Sequence, residues 1–274
     1  MRPSPASCYN SVPPRGPGLA AFPCTRFSFG LSVVPAGPGS PGPARVCPFF
    51  APGLNTLRER LIAIGDVHGC AQALRGLLSA IAPKPQDTLV FLGDLIDRGP
   101  DSRGVIELVL KLQKLTRVVV IKGNHEEMME AVLNRQMEHS VWLKYGGLST
   151  LDSYGFNGDR DFLPPTHAAF FKTLVDYFEQ DDFFFAHASY DPDLPLAVQP
   201  WADLRWISLR EVVPSPHFSG KLAVVGHTAN PEGNCVDFGH LLCIDTGCYG
   251  GGFLTAVDVR RRVAWQVDPE GNPR

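Results

Sequence analysis

Residues 88–99 read TLVFLGDLIDRG. The first five residues are apolar or β-branched, which is typical of a buried strand. A glycine then marks a tight turn, and Asp94, Asp97 and Arg98 follow within five residues. The sequence here predicts a strand that ends in a loop carrying two carboxylates and a cation.

The same arrangement, a short apolar run that ends in a metal-seeking side chain, recurs four times. The runs are Leu61–Ile64 before Asp66 and His68, Arg117–Ile121 before Asn124 and His125, Phe183–Phe185 before His187, and Leu222–Val225 before His227. Because ligands of open α/β sheets bind beyond the carboxyl ends of the strands, these side chains are expected to meet. The pattern predicts a dinuclear metal site on a β core, and phosphoester hydrolysis as the chemistry.

The ligand types narrow the choice of metal. Carboxylate, amide and imidazole groups together suit Mn, Fe, Zn or Co, and no thiolate is placed to form a zinc site of the cysteine type. Asp66 and His68 lie one residue apart on an extended loop and can point to the same side. Asp94 and Asp97 add two carboxylates three residues apart.

These blocks resemble a known family. Asp66-Val67-His68-Gly69, the run GDLIDRG at residues 93–99, and Gly123-Asn124-His125-Glu126 are similar to the three signature blocks of the phosphoprotein phosphatase (PPP) family. They also fit the wider calcineurin-like metallophosphoesterase superfamily, and His187 and Gly226-His227-Thr228 match its two later histidine blocks. The resemblance covers roughly residues 60–260 and implies an α/β (α+β) fold of two packed mixed sheets flanked by helices.

The resemblance also implies roles for single residues. Asp66, His68 and Asp94 would hold one metal ion, and Asp94, Asn124, His187 and His227 a second, with Asp94 bridging. A hydroxide between the ions would attack phosphorus, His125 would act as general acid oriented by Asp97, and Arg98 would bind phosphate oxygens. The expected cofactors are two divalent ions, Mn²⁺ first and Fe, Zn, Co or Ni as alternatives.

One segment departs from the family pattern. The family usually supplies a second phosphate-binding arginine from a Trp-x-Arg sequence before the last histidine, and here Ser208 occupies that place after Trp206. Arg205 and Arg210 flank it. Arg205 is the predicted second phosphate ligand because it shares the tryptophan-rich stretch, and Arg210 is the alternative.

The substrate class is predicted from the same resemblance. The loop at residues 190–196, YDPDLPL, resembles that of bacterial serine/threonine phosphatases, and the expected activity is phosphoprotein dephosphorylation. The alternative is a symmetrical diadenosine tetraphosphate hydrolase or another small-molecule phosphoesterase. Many tetraphosphate hydrolases carry Asp where this chain has Glu126, which favours the first interpretation. A pseudophosphatase would lack a ligand or the acid, and none is missing here.

Composition separates the chain into two parts. Residues 1–54 contain 12 prolines, 7 glycines, four arginines and no Lys, Asp or Glu, so with an overall charge of −3 the remainder carries −7. The first part is predicted to be a disordered tail, and residues 55–274 a single catalytic domain. A start codon assigned upstream of the true domain is an alternative account of the tail, and organellar transit a minor one.

The same composition bears on partners and compartment. An acidic domain without a basic stripe argues against nucleic acid as a partner, and no apolar run approaches the ~20 residues of a membrane span. Seven cysteines without a C-x-x-C pair indicate free thiols and a reducing, cytoplasmic setting. The expected partners are phosphorylated proteins or small phosphoesters, and the chain is expected to be a monomer.

Overall fold

The structure is a computed structural model that describes residues 59–159 and 161–274. The tail predicted at residues 1–54 lies outside the described residues, as does the start of the domain predicted at 55–274.

Helices and strands alternate in the first part of the described chain, and strands dominate the last. The strands in these residues are β1 (Leu61–Ile64), β2 (Thr88–Phe91), β3 (Arg117–Val120), β4 (Tyr177–Gln180), β5 (Phe183–Ala186), β6 (Leu222–Val225), β7 (Val236–Asp237), β8 (Leu241–Cys243), β9 (Leu254–Asp258) and β10 (Val263–Val267). The α-helices there are α1 (Ala71–Ile81), α2 (Ser102–Leu112), α3 (Asn124–Leu133), α4 (His139–Trp142), α5 (Leu148–Ser153), α6 (Pro165–Phe171) and α7 (Trp201–Trp206).

The strands form two mixed sheets of five strands each. The first sheet has the order β10-β9-β1-β2-β3, in which β1, β2 and β3 are parallel and β9 and β10 are antiparallel. The second has the order β4-β5-β6-β8-β7, with β5, β6 and β8 parallel. The predicted architecture of two mixed sheets flanked by helices is confirmed.

Packing on both faces explains why the parallel strands read as unbroken apolar runs. In β1, Leu61 and Ala63 face the second sheet and pack with Phe185 and Val224. The alternate residues of β1 face α1 and α2 instead, where Ile62 and its neighbours form a second apolar layer. The sheets therefore pack face to face, and their strands are held in register by burial on both sides.

Two predicted helices differ from the structure. The apolar period at residues 168–178 predicts one helix, but α6 ends at Phe171 and the residues from Tyr177 form the edge strand β4, which pairs with β5. The sequence also predicts a helix over Glu126–Gln136, directly after the Asn124-His125 pair. In the structure α3 begins two residues before Glu126, so Asn124 and His125 lie in its first turn. Tertiary pairing overrides local periodicity in the first case.

Two further expectations bear on the chemistry of the chain. The cysteines within the described residues, Cys70, Cys235, Cys243 and Cys248, are free and buried, as predicted. Across residues 59–159 and 161–274, none of the helices combines the length and the apolar character needed to cross a membrane.

Candidate metal centre

Predicted ligands from both sheets converge beyond the carboxyl ends of the parallel strands. Asp94 lies at the centre of this group. Its Oδ2 is 3.4 Å from Nε2 of His187 and 3.5 Å from Nε2 of His68, while its Oδ1 accepts a hydrogen bond of 3.1 Å from the backbone N–H of His125. One carboxylate thus lies between histidines of the two sheets, as a bridging ligand must.

Backbone carbonyls fix the orientation of three histidines. Nδ1 of His68 donates to the carbonyl of Ile96 at 3.0 Å, and Nδ1 of His187 donates to Leu92 at 2.7 Å. Nε2 of His227 lies 3.2 Å from the carbonyl of Trp206 and donates to it. Because a carbonyl only accepts, the nitrogen that faces it carries the proton, and the other ring nitrogen is directed at the site, where a metal ion would take the place of a proton. Ligating histidines are held in this way in metalloproteins.

The other two predicted ligands, Asn124 and Asp66, contact this group through His187 and His227. Oδ1 of Asn124 is 3.1 Å from Nε2 of His187, which is in turn 3.2 Å from Nδ1 of His227. Asp66 is buried, and its two oxygens accept the backbone N–H of His227 at 3.0 and 3.2 Å. Asp66 therefore joins the group through the loop of His227.

Among the described residues, two compact trios could each hold an ion. They are His68, Asp94 and His125, and Asp94, His187 and His227, with the ligand atoms of each trio within 4.8 Å of one another. Ligand atoms around one ion at about 2.1 Å lie roughly 3–3.5 Å apart, close to the separations seen around Asp94. The donor set fits two divalent ions. The first trio contains His125, which the sequence prediction places beside the ions.

The site gathers several carboxyl groups whose charged form is disfavoured by burial. Burial, aided by the neighbouring Asp245, raises the pKa of the Asp66 carboxyl well above its ordinary value. Burial likewise raises the pKa of Asp245 to about 6 and that of Glu126 to about 7. Burial opposes a charge on His187, but Asp94 outweighs it and raises the pKa of this imidazole to about 10. Divalent cations would compensate these buried carboxylates.

His125 and Asp97 form a buried pair beside the ligands. Nδ1 of His125 donates to Oδ2 of Asp97 at 2.8 Å, and neither side chain is exposed. Within residues 59–159 and 161–274, Nε2 of His125 is buried without a hydrogen-bond partner, 3.9 Å from Oδ2 of Asp94. An unpaired buried nitrogen that faces a cluster of ligands requires a functional explanation. The two residues at the start of α3 thus face different partners, Asn124 towards His187 and His125 towards Asp97.

Arg98 lies at the exposed rim of the site. Its Nη1 is 3.0 Å from Nε2 of His68, and its guanidinium lies 4.5 Å from the ring centroid of Tyr249. Tyr249 also packs edge-on against His68 at 4.8 Å. Stacking on an aromatic ring holds the planar cation while leaving its N–H donors available to phosphate oxygens.

The structure places Arg205 in a different environment from Arg98. Its guanidinium donates to Glu127 at 2.8 Å and also to Asp176, and its side chain is 11% exposed. Arg210 donates to the carbonyl of Ala229. Two carboxylates occupy the donors of Arg205, so this geometry does not favour the predicted role in phosphate binding.

Several residues support the site through contacts that the sequence motifs do not reveal. Glu126 belongs to the third block, and its carboxylate stabilises the turns: it accepts the backbone N–H groups of Leu95 at 2.7 Å, Asp94 at 2.9 Å and Gly123 at 3.0 Å. Trp142 and Thr150 donate to Asp97 from more than 40 residues away. Such partners depend on tertiary contact, and local spacing cannot reveal them.

These hydrogen bonds stabilise turns whose backbone conformation is strained. The backbone is left-handed at five residues of the site, with φ of 44° at His68, 49° at Asp94, 70° at Asp97, 69° at Arg98 and 61° at His227. Each such residue costs about 1–3 kcal/mol and persists only where surrounding contacts fix it. Strain of this kind concentrates at functional sites.

Comparison with known proteins agrees with this geometry. A sequence model of the calcineurin-like phosphoesterase family matches residues 59–257. Serine/threonine-protein phosphatase 1 of Salmonella typhimurium is 41% identical over 86 residues, which is 31% of this chain and 37% of that protein. The symmetrical bis(5'-nucleosyl)-tetraphosphatase of Pectobacterium carotovorum is 46% identical over 70 residues, 25% of this chain and 24% of that protein. The alignments therefore span between about a quarter and two fifths of these curated relatives.

A solved structure extends the likeness over most of the chain. The crystal structure of a candidate diadenosine tetraphosphatase superposes with a TM-score of 0.60 at 22% sequence identity. The superposition covers 78% of this chain and 95% of the other. At this identity the likeness concerns the fold.

Proposed function

The chain belongs to the calcineurin-like phosphoesterase family, and on that premise we propose that it is a dinuclear-metal phosphomonoester hydrolase acting on phosphoserine and phosphothreonine in proteins. The observation that carries the proposal is the central position of Asp94, between the histidines of both sheets and beside the His125–Asp97 pair.

Each side chain has a stated task in this proposal. The residues that would hold the first ion are Asp66, His68 and Asp94, and those that would hold the second are Asp94, Asn124, His187 and His227. Two bound divalent ions would supply Lewis-acid polarisation of the phosphoryl group and an activated water as nucleophile. We propose Mn²⁺ for both ions. Arg98 binds phosphoryl oxygens at the rim of the site.

The buried acid pair supports a monoester substrate. A serine or threonine alkoxide is a poor leaving group and must receive a proton as the bond to phosphorus breaks. His125 can give that proton from Nε2, because Nδ1 is held by Asp97 at 2.8 Å. A nucleoside phosphate leaving group departs as a stable anion and needs the proton much less.

A symmetrical dinucleoside tetraphosphate is the second candidate substrate. The local identity of 46% to a bis(5'-nucleosyl)-tetraphosphatase supports it. Tyr249 is 42% exposed beside Arg98, which offers an aromatic surface on which a base could stack.

A substrate panel in manganese buffer separates these candidates. It contains a phosphoserine peptide, a phosphotyrosine peptide, diadenosine tetraphosphate and a cyclic nucleotide, each assayed with the full chain. We expect the highest kcat/KM with the phosphoserine peptide. A higher kcat/KM with diadenosine tetraphosphate would replace the proposed activity with the second candidate, and a lack of turnover with every member would overturn both.

A further inference from the structure

One oxygen of Asp97 serves two donors. Oδ2 accepts Nδ1–H of His125 at 2.8 Å and the indole Nε1–H of Trp142 at 2.7 Å. The other oxygen, Oδ1, accepts the hydroxyl of Thr150 at 2.6 Å. Trp142 is 2% exposed, and Asp97 and Thr150 are fully buried. The Asp97 carboxylate thus accepts hydrogen bonds from three buried side chains.

Trp142 and Thr150 belong to one segment, residues 142–150, which we call the clamp. It runs from the last residue of α4 through a kink at Leu143–Gly147, where the backbone of Gly146 is not helical, into the first turn of α5. The clamp also holds the backbone of the rim: the N–H of Arg98 donates to the carbonyl of Gly146 at 3.2 Å, and the N–H of Asp97 to the hydroxyl of Thr150 at 2.9 Å.

Two glycines allow this close approach. Gly146 has a φ of 105°, and a Cβ there would lie 2.8 Å from the backbone nitrogen of Arg98. A Cβ at Gly147 would lie 2.5 Å from the ring of Trp142. The two glycines therefore allow the backbone of the clamp to lie directly against the indole of Trp142 and the backbone of Arg98.

Trp142 also lines a cavity of about 570 Å³, together with Leu151, Phe156 and Phe162. The hydrogen bond from its Nε1–H to Oδ2 of Asp97 is 2.7 Å long. The same bond fixes which lone pair of Oδ2 remains for His125.

We propose that Trp142 is a positioning residue for proton transfer: its N–H fixes the Asp97 carboxylate so that His125 is held with Nε2 directed at the leaving oxygen. This inference rests on the proposed phosphomonoester hydrolysis. Loss of the N–H should leave the metal ligands in place, because none of them contacts the indole, and should impair only the step that needs a proton.

The test is Trp142→Phe, which keeps an aromatic ring and removes the donor. We expect kcat for a phosphoserine peptide and for phenyl phosphate to fall roughly tenfold, the usual worth of one buried hydrogen bond. The kcat for p-nitrophenyl phosphate, whose leaving group hardly needs a proton, should change less than about twofold. Metal content should stay equal to that of the parent. Trp265→Phe, on β10, is the matched control and should change no rate.

A second measurement separates positioning from a general structural effect. In the double variant Trp142→Phe with His125→Asn the acid is already absent, so the tenfold effect of the tryptophan change should disappear. Equal slowing of phenyl and p-nitrophenyl phosphates, or full additivity with His125→Asn, would overturn the proposal. If Trp142→Phe fails to fold, 3-benzothienylalanine at position 142 provides the same bicyclic shape without an N–H, and the same rate ratios decide. If the phosphoserine peptide is not a substrate but the aryl phosphates keep the expected ratio, the proposed activity fails and the role of Trp142 stands.

Discussion

Hydrogen bonds within the first-sheet half hold its turns, whereas both histidines of the second sheet are hydrogen-bonded to residues of the first. Glu126 accepts four backbone N–H groups around Asp94. By contrast, His187 leaves β5 and donates to the carbonyl of Leu92, the residue after β2. The N–H of His227 likewise donates to Asp66 of the first sheet.

This difference divides the proposed site by function. The first-sheet half (Asp66, His68, Asp94, Asn124 and His125, with Arg98 at the rim) holds proposed ligands, the proposed acid and the proposed phosphate-binding group, and the second-sheet half (His187 and His227) holds proposed ligands alone. Changes in the first half should therefore affect metal binding or proton transfer according to the residue. Changes in the second half should affect only metal binding.

Asp94→Asn should have the largest effect. The substitution removes one negative oxygen from between the two histidine groups, so we expect loss of most bound metal and nearly all turnover while the chain stays folded. Elemental analysis and circular dichroism of the purified variant measure the two outcomes. Two metal ions per chain in Asp94→Asn would refute the bridging role.

His125→Asn should lower kcat by roughly 10²–10⁴-fold with an alkyl phosphoester, the usual worth of a general acid. Among the described residues Nε2 of His125 has no hydrogen-bond partner, and His125 is proposed as the acid and not as a ligand, so the metal content should persist. The loss should be much smaller with p-nitrophenyl phosphate.

His187→Asn is the second-sheet counterpart. It should weaken metal affinity and slow alkyl and aryl esters alike, because it removes a ligand and no proton donor. Titration of each variant with Mn²⁺ and assay of both substrates give the comparison. If His125→Asn lost its metal, or slowed both esters equally, the division between the two halves would fail at this residue.

Arg98→Gln should change the KM for phosphoesters, whereas Arg205→Gln should change the thermal stability. Within the described residues Arg98 lies on Tyr249 without a carboxylate partner, and we expect its loss to raise KM for phosphoesters by about 10–100-fold. Arg205 joins Glu127 and Asp176, so its loss should lower Tm by roughly 2–6 °C and leave KM nearly unchanged. A large rise in KM for Arg205→Gln would restore it as the second phosphate ligand.

Deletion of residues 1–54 should have the smallest effect. Both halves of the site lie within residues 59–274, and the 12 prolines and 7 glycines of the deleted segment predict disorder rather than packing on the domain. We expect kcat/KM and Tm to remain within error of the full chain. A fall of several degrees in Tm would show that the segment contributes to the domain.

Sequence predicted the strands that deliver the ligands because burial on both faces leaves a strong local signal. The apolar runs at Leu61–Ile64 and Leu222–Val225 coincide with β1 and β6. The prediction of one helix over residues 168–178 was wrong, because the edge strand β4 forms by pairing with β5 and the local sequence period does not encode that pairing. Buried strands are therefore easier to predict from the sequence than edge strands.

The same distinction applies to the site. The ligands follow strands directly, and motif spacing brings them to notice. The partners of the other predicted site residues come from distant parts of the chain: Trp142 lies 45 residues from Asp97, and Glu127 lies 78 residues from Arg205. Nothing in the sequence around Arg205 indicates that two carboxylates occupy its guanidinium. Local sequence predicts which groups do chemistry, and tertiary contacts decide whether they are free to do it.

The hydrogen bond from His187 to Leu92 also has a consequence for the order of folding. It joins residues 95 positions apart, and that from His227 to Asp66 joins residues 161 apart. Contacts of such separation form late, after the loop-closure entropy of the intervening chain has been overcome. The ligand set is consequently complete only when both sheets have docked, and a metal ion that binds only then would draw the folding equilibrium towards the docked state.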